Sequence, residues 1–217
     1  LVASGVGVLN QYIEREADGR MKRTKTRPIP SGRVQPVSAR RFGIILAAAG
    51  VIYLLTTVAV KVALVAFLTV FLYLAVYTPL KKKTTWNTLI GAVPGALPTL
   101  GGWLAATGNL ELGGWLLFGV LFLWQIPHFF AIAWLYRKDY ARAGFQMLPG
   151  AESTMTKTSV YCVSFAVLLM ICTTLLHLNG ISGQVFLWGS LLLGGTFLVL
   201  SMDVARGWNQ ERARRLF

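Results

Sequence analysis

Long apolar stretches without charged residues alternate with short polar segments along the whole chain. Stretches free of Asp, Glu, Lys and Arg run over residues 42–60, 62–80, 84–110, 112–136 and 158–202. A membrane-crossing helix needs about 20 predominantly apolar residues, so each of the first four stretches can hold one span. The last is long enough for two, with a turn at NGISG, residues 179–183. The pattern predicts six complete membrane-spanning helices.

Both ends of the chain carry further apolar sequence. Residues 1–9 (LVASGVGVL) have the composition of the last part of a seventh span, and an apolar segment restarts at Leu216 and Phe217. The chain also begins with Leu rather than Met. We interpret residues 1–217 as a single transmembrane domain truncated at both ends. The expected fold class is all-α, a polytopic transmembrane helical bundle with about six complete spans plus one partial span.

Composition and charge support a membrane protein. Hydrophobic residues make up 55% of the chain and charged residues only 13%, against about 25% charged in an average soluble domain. Alternating the loops between two sides puts residues 10–41, 81–83, 135–157 and 203–217 together, and that side holds all Lys and Arg except Lys61. By the positive-inside rule this side is cytoplasmic, or faces the matrix in a mitochondrion. The net charge of +13 is spread over loops joined by spans, which argues against a nucleic-acid partner.

A polar stripe follows the first apolar segment. If residues 1–18 form one helix, Asn10, Glu14 and Asp18 share one face in a stripe about 12 Å long. Two acids four residues apart repel each other, so a cation is expected to compensate them. Two hypotheses stay open at this point. One is a basic neighbour, from the set Arg15, Arg20, Lys22 and Arg23. The other is Mg²⁺, which binds through one or two carboxylates plus substrate phosphates, with downstream Lys and Arg holding the phosphate oxygens.

A second charged cluster, YRKDY at residues 136–140, ends the span that contains WQIPHFF at residues 124–130. Two such clusters on one side of the membrane could converge over one cavity, an arrangement that suits a diphosphate whose lipid tail descends between helices. His128 lies inside a span, where an ionisable residue is costly and calls for a functional hypothesis. It could ligate haem iron, contact a substrate or hydrogen-bond a neighbouring helix. The Gly- and Pro-rich residues 90–103 predict an irregular helix that lines a cavity.

The opening motif resembles a known family. NQYIEREADGRMKRTKTRPIPSGRV, residues 10–34, resembles the first acidic motif of the UbiA superfamily of intramembrane prenyltransferases, N-x-x-x-D-x-x-x-D followed by R-T-x-x-R-P-x-P-x-G. Glu14 stands where Asp is usual. Residues 77–108, 124–134 and 138–149 resemble the haem-farnesylating branch of that superfamily, and Asp139 is followed four residues later by Ala143 rather than by a second acid.

The resemblance implies a reaction. A farnesyl group would be transferred from farnesyl diphosphate to a vinyl group of haem b, releasing diphosphate and giving haem O for terminal oxidase biogenesis, with Mg²⁺ as the cofactor and haem b as a substrate.

The resemblance also implies roles for individual residues. Asn10, Glu14 and Asp18 would hold Mg²⁺ on the diphosphate, with Asp139 as a second metal ligand or an orienting group. The expected stabilisers of the departing diphosphate are Lys22, Arg23, Arg27 and Lys138. The expected aromatic faces for the allylic cation are Phe129, Tyr136 and Tyr140. His128 is the expected haem contact.

The expected partners are haem b, farnesyl diphosphate and the lipid bilayer, together with a haem A synthase or a terminal oxidase assembly. The expected location is a bacterial inner membrane with the active site facing the cytoplasm, or a mitochondrial inner membrane. Two alternative functions stay open: a prenyltransferase acting on a quinone precursor or another aromatic, and an anion transporter. Transporters tend to show internal repeats and polar residues near the membrane midplane, whereas the acids here lie at one interface.

Overall fold

The computed structural model describes residues 1–217 and contains only helices and the loops between them. Six segments are long and apolar enough to cross a membrane: Pro36–Thr57, Val60–Leu80, Asn87–Thr107, Leu112–Leu135, Thr156–Leu178 and Gln184–Arg206. They coincide with the six spans predicted from the apolar stretches. The all-α fold class and the number of spans are therefore confirmed, and the chain is an integral membrane protein.

We number the α-helices in chain order. They are α1 (Val2–Ile13), α2 (Arg15–Arg20), α3 (Pro36–Thr57), α4 (Val60–Phe71), α5 (Thr78–Leu80), α6 (Asn87–Thr107), α7 (Leu112–Leu135), α8 (Arg137–Ala143), α9 (Leu148–Ala151), α10 (Thr156–Leu178), α11 (Gln184–Arg206) and α12 (Gln210–Leu216).

The long helices pack mainly against their sequence neighbours. Helix α1 lies against α3, and the contacts continue through α3 with α4, α4 with α6, α6 with α7, α7 with α10, and α10 with α11. Helix α12 then returns to pack against α7. Large apolar side chains cover the outer faces, such as Val185 and Leu192 on α11. Such faces suit contact with lipid tails, where no water is available for polar groups.

Helices α1 and α3 approach closely. A Cβ atom on Gly5 would lie 2.5 Å from the backbone nitrogen of Ala47, which no real side chain tolerates. A glycine at this position allows the backbones to come together, as small residues commonly do between membrane helices. This contact fixes α1 along the bundle and therefore fixes the direction of the polar stripe that α1 carries.

The first helix is interrupted where the sequence predicted continuity. Glu14 has φ −91° and ψ 6° and separates α1 from α2. The hydrogen-bond ladder nevertheless continues, since the Glu14 N–H donates to the Asn10 carbonyl at 2.9 Å and the Asp18 N–H donates to the Glu14 carbonyl at 2.8 Å. The break is therefore local, and all three residues of the stripe still face one side.

The second span changes its helical pitch near its polar end. Residues Leu72–Tyr77 form a π-helical segment between α4 and α5. Such segments are rare and usually a single turn long. The π-helical segment continues into α5, which ends at the loop that begins with Lys81.

Helix α6 departs from the irregular course expected of its Gly- and Pro-rich sequence. It runs as one α-helix although it contains Pro94 and Pro98. The buried Gln125 of α7 donates a hydrogen bond from Nε2 to the Ala92 carbonyl at 2.9 Å, which ties the two helices together at this point. The same stretch does line a cavity, as predicted.

The loops that the sequence pattern places on one side of the membrane contact one another through hydrogen bonds. The Gln146 N–H donates to the Lys81 carbonyl at 2.7 Å, and Asn87 Nδ2 donates to the Gln146 carbonyl at 2.6 Å. The Arg23 N–H donates to Asp139 Oδ2 at 3.1 Å. Together these contacts form a polar layer over the ends of α1, α6 and α7.

Candidate active site

A polar pocket of about 210 Å³ opens within this layer. Helices α1, α2, α6, α7 and α8, the π-helical segment and the loops beside them contribute its walls. It is lined by Asn10, Glu14, Asp18, Met21, Arg23, Arg27, Tyr73, Tyr77, Lys81, Thr88, Phe129, Ile132, Tyr140, Phe145 and Met147.

The predicted stripe forms the acidic wall of the polar pocket. Asn10 Nδ2 donates to Glu14 Oε2 at 3.1 Å, and Asn10 Oδ1 accepts from the Thr78 hydroxyl at 3.1 Å. Glu14 and Asp18 are both buried, Asp18 completely. Buried carboxylates need charged or hydrogen-bonding partners, so the partners of these two define the electrostatics of the site.

Each carboxylate has its own basic partner. Lys81 Nζ lies 2.7 Å from Glu14 Oε1 and 4.5 Å from the centre of the Tyr77 ring. Arg27 Nη1 donates to both oxygens of Asp18, at 3.0 and 2.8 Å. Neither contact is the short-range neutralisation by Arg15, Arg20, Lys22 or Arg23 that the sequence allowed as an alternative.

Lys81 is a functional candidate that sequence reasoning missed. It follows a span directly, so its charge could be explained by topology alone. The one available signal was its position four residues after Tyr77, at the end of a helix, which puts both residues on one face.

Hard oxygen donors dominate the acidic wall. The Lys81 ammonium compensates the charge of Glu14 at 2.7 Å from Oε1. Two carboxylates and an amide oxygen are the ligand types that Mg²⁺ takes when phosphates complete its coordination. No group of three or more His, Cys, Asp or Glu side chains is placed to hold a metal. The residues fit a Mg²⁺ ion that shares its coordination with a substrate.

The remaining walls are aromatic and basic. The rings of Tyr73 and Tyr77 meet edge to face with centroids 5.1 Å apart, and Phe129 and Tyr140 face the same space. Burial raises the pKa of the Tyr140 phenol, and the nearby Arg23 guanidinium partly opposes that shift. The pocket therefore combines two acids, three bases and several neutral aromatic faces.

An apolar cavity of about 520 Å³ adjoins the polar pocket, and Tyr73 lines both. On α1, Val2 and Val6 line the apolar cavity and Asn10 lines the polar pocket, so one helix face passes from apolar to polar at intervals of four residues. On α6 the cavity wall contains Gly95, Pro98, Gly101, Gly102 and Ala105. An amphiphile with an anionic head and a hydrocarbon tail would fit both spaces at once.

Several predicted site residues lie outside the polar pocket. Lys22, Tyr136, Lys138 and Asp139 line a neighbouring outer cavity of about 560 Å³, and Arg23 lines both spaces. Asp139 is buried and forms an ion pair with Arg142. The polar pocket therefore brings together the stripe, Arg23, Arg27, Phe129 and Tyr140. The other four residues line the outer cavity and not the polar pocket.

His128 lies on a different face of α7 from Phe129. Its ring stacks between those of Trp124 and Phe217, with centroid distances of 4.8 and 5.1 Å. Its Nδ1 lies 2.8 Å from the Phe217 carbonyl. A carbonyl oxygen only accepts hydrogen bonds, so this contact requires the proton on Nδ1, and in the neutral ring Nε2 then keeps its lone pair.

Comparison with known proteins identifies the family of this chain. Residues 1–217 match the UbiA prenyltransferase family along their whole length. The chain belongs to the UbiA prenyltransferase family. The chain is therefore a prenyltransferase, an enzyme, built as an all-helical membrane bundle.

Individual relatives are similar over most of this UbiA-family chain. A protein named protoheme IX farnesyltransferase from Salinibacter ruber is 50% identical over 216 residues, which cover 100% of this chain and 76% of the relative. Proteins of the same name from Solibacter usitatus and Sorangium cellulosum are 44% and 43% identical, covering 99% and 100% of this chain and 73% and 78% of theirs.

A solved structure described as a digeranylgeranylglyceryl phosphate synthase matches the fold with a TM-score of 0.79. The two sequences are 20% identical, and the match covers 99% of this chain and 75% of the other. The likeness is one of fold.

Proposed function

We propose that this UbiA-family chain transfers a farnesyl group from farnesyl diphosphate to a vinyl group of haem b, giving haem O. The observation that carries the proposal is the polar pocket joined to an apolar cavity through Tyr73, in a chain 50% identical to a relative named protoheme IX farnesyltransferase. The diphosphate occupies the polar pocket and the farnesyl tail lies in the apolar cavity.

The basic residues bind the leaving group. Cleavage of the allylic C–O bond leaves both bonding electrons on the diphosphate, so negative charge grows there during the step. Arg23, Arg27 and Lys81 line the polar pocket and stabilise that charge from fixed positions, and such electrostatic stabilisation often accelerates a reaction more than any other effect. Lys22 and Lys138 lie in the outer cavity and contribute to the attraction of anionic substrates rather than to direct contact.

A divalent metal completes the site. Mg²⁺ held by Glu14, Asp18 and Asn10 would neutralise phosphate charge when bound. The oxygen donors of these three side chains line the polar pocket and support this assignment, because Mg²⁺ prefers oxygen ligands and shares its coordination with substrate phosphates. Lys81 and Arg27 lie beside the same two carboxylates, so the protein itself supplies cations that keep the site folded before substrate arrives.

Aromatic faces shield the allylic cation. Phe129 and Tyr140 face the polar pocket, and electron-rich rings stabilise nearby cations by their quadrupole. Tyr136 lies under the Arg23 guanidinium, 4.8 Å from its ring centre, so it supports Arg23 instead. The haem vinyl group attacks the allylic carbon, forming a C–C bond. Water then adds to the resulting cation and loses a proton, leaving the hydroxyl group of haem O.

His128 is our proposed haem contact. Histidines that ligate metals usually donate their other ring N–H to a carbonyl or carboxylate, which fixes the tautomer. The Nδ1 contact to the Phe217 carbonyl leaves Nε2 available in this way. Replacing His128 by Ala should weaken haem b binding, measured by the Soret-band shift, while farnesyl diphosphate binding is retained.

The location follows from the charge distribution. We propose a bacterial inner membrane with the polar pocket facing the cytoplasm, because the basic loops meet on the pocket side. A mitochondrial inner membrane would place the pocket on the matrix side. The product would pass to a haem A synthase or a terminal oxidase assembly.

The test uses the full-length protein in nanodiscs with haem b, farnesyl diphosphate and Mg²⁺. We expect mass spectrometry to detect a farnesylated, hydroxylated haem, and we expect EDTA to abolish its formation. Prenylation of a quinone precursor with no haem product would overturn the haem assignment while leaving the prenyltransferase site in place. Product formation unaffected by EDTA would remove Mg²⁺ from the proposal.

A further inference from the structure

Asp139 lines the outer cavity and not the polar pocket, and both of its carboxylate oxygens are engaged. Its Oδ2 accepts a hydrogen bond from the backbone N–H of Arg23 at 3.1 Å, and its Oδ1 faces the Arg142 guanidinium. The residue is only 7% exposed. Asp139 therefore contacts the chain segment that carries the pocket's basic residues, rather than the oxygens of Asn10, Glu14 and Asp18.

The segment that Asp139 contacts is the basic loop, residues 21–35, which joins α2 to α3 without regular structure. Arg23 lies five residues after Asp18 and four before Arg27. On one side of Arg23, the buried Thr24 hydroxyl donates to the Asp18 carbonyl at 3.0 Å. On the other, Arg27 returns to the Asp18 carboxylate. Fixing the backbone at Arg23 thus helps to fix the direction of Arg27.

The Arg23 side chain reinforces the same contact. Its guanidinium lies 4.8 Å from the Tyr136 ring centre and 5.9 Å from the Tyr140 ring centre, and Nη2 donates to the Tyr140 hydroxyl at 3.3 Å. Arg23 also separates the polar pocket from the outer cavity, since it lines both. One residue of the basic loop is therefore held by α8 through its backbone and by two aromatic rings through its side chain.

We propose that Asp139 is a positioning residue, which holds the basic loop over the polar pocket by accepting the Arg23 N–H, and is not a metal ligand. The proposal deepens the proposed function and rests on it in one respect, that the polar pocket binds a diphosphate. Without this contact the basic loop moves away from the pocket, Arg27 loses its direction, and the wall between the pocket and the outer cavity opens.

The variants Asp139→Asn and Asp139→Ala distinguish a positioning residue from a metal ligand. Asparagine keeps an oxygen that can accept the Arg23 N–H, but it removes the negative charge that a metal ligand needs. Alanine removes both. The matched control is Arg142→Lys, which keeps a cation beside the buried Asp139 carboxylate and leaves the Arg23 contact intact.

The first readout needs no substrate. The basic loop contains several Lys and Arg residues, so trypsin should cut it when it is released from α8. In the full-length protein in detergent, we expect Asp139→Ala to be cleaved between residues 22 and 33 about tenfold faster than the wild type. Asp139→Asn and Arg142→Lys should resist trypsin as the wild type does, with cleavage sites read by mass spectrometry.

The second readout is the metal dependence of prenyl transfer. We expect Asp139→Asn to keep its kcat within about threefold and to need the same Mg²⁺ concentration, while Asp139→Ala loses about 10- to 100-fold in kcat/KM because a buried charged hydrogen bond is lost.

An Asp139→Asn variant that resists trypsin but needs much more Mg²⁺ would overturn the proposal in favour of a metal ligand. Unchanged cleavage of Asp139→Ala would overturn it as well. If Asp139→Ala does not fold, Asp139→Asn still decides by its Mg²⁺ requirement. If the wild type forms no farnesylated haem, the proteolysis still tests the loop contact and only the proposed function fails.

Discussion

Lys81 forms the buried ion pair whose loss should be most visible. Its side chain is 10% exposed and that of Glu14 is 8% exposed, with 2.7 Å between Nζ and Oε1. Replacing Lys81 by Met keeps most of the length and apolar surface of the side chain but leaves Glu14 charged and buried. The only remaining side-chain contact of that carboxylate is the hydrogen bond from Asn10.

The size of the effect follows from this burial. Removing one partner of a buried ion pair costs about 3–5 kcal/mol, because the other charge is left uncompensated. For a chain of this length each kcal/mol corresponds to about 2–4 °C in melting temperature. Lys81→Met should therefore melt about 6–20 °C below the wild type in detergent without metal.

A double-variant cycle isolates the pair. In the combined variant Lys81→Met and Glu14→Gln no unpaired charge remains, so we expect it to recover most of the lost melting temperature. Added Mg²⁺ with inorganic diphosphate should stabilise Lys81→Met more than the wild type, since an ion can then replace the missing ammonium. The control Lys82→Met changes the next residue, which is exposed, and should melt as the wild type does.

Two results would refute this reasoning. If Lys81→Met melts at the wild-type temperature, the ion pair does not compensate Glu14. If the double variant is no more stable than Lys81→Met, the loss arises from packing against Tyr77 and Phe145, whose rings lie near the ammonium, rather than from charge.

Further predictions concern the same pocket. Arg27→Gln should lower kcat/KM for farnesyl diphosphate about 10- to 100-fold in steady-state kinetics, because a charged hydrogen-bond donor is lost. Gly91→Ala should lower the melting temperature, since its Cβ would lie 2.5 Å from Tyr77 Cδ2; Gly189→Ala, whose Cβ meets nothing within 4 Å, should not. Burial raises the pKa of Tyr140 above its ordinary value of 10.0. The stability from its protonated hydroxyl is therefore complete below pH 10 and lost as the pH rises beyond it, and Tyr140→Phe should lessen the alkaline fall in melting temperature.

The spans and the acidic stripe were predictable because the bilayer leaves few alternatives. A charged residue inside a span is costly, so charge-free stretches mark the helices, and helical spacing then aligns Asn10, Glu14 and Asp18. The break at Glu14 was not predictable. It involves one residue's backbone angles while the hydrogen-bond ladder continues, and no proline or glycine marks it in the sequence.

The partners of the stripe were harder to predict because they come from distant segments. Lys81 reaches Glu14 from the end of another span. Its neighbours Lys82 and Lys83 are exposed, so the sequence does not indicate which of the three adjacent lysines is buried. His128 presented a similar difficulty. Helix α7 is apolar on nearly every side, and its sequence does not indicate which face meets the polar pocket and which meets α12.

The π-helical segment at Leu72–Tyr77 determines where this span can change its length. A π-helical turn accommodates one residue more than an α-helical turn, so deleting one residue there would let the helix close as ordinary α-helix. Because the wider turn absorbs the extra residue, the side chains beyond such a deletion would keep nearly the same direction. Deleting a residue from the α-helical part of the span would instead rotate every side chain beyond it by about 100°, and Lys81 would turn away from Glu14 even though no residue of the pocket had been substituted. Deletions in the α-helical part of the span should therefore be as damaging as substitutions in the pocket itself, whereas the π-helical segment can lose one residue.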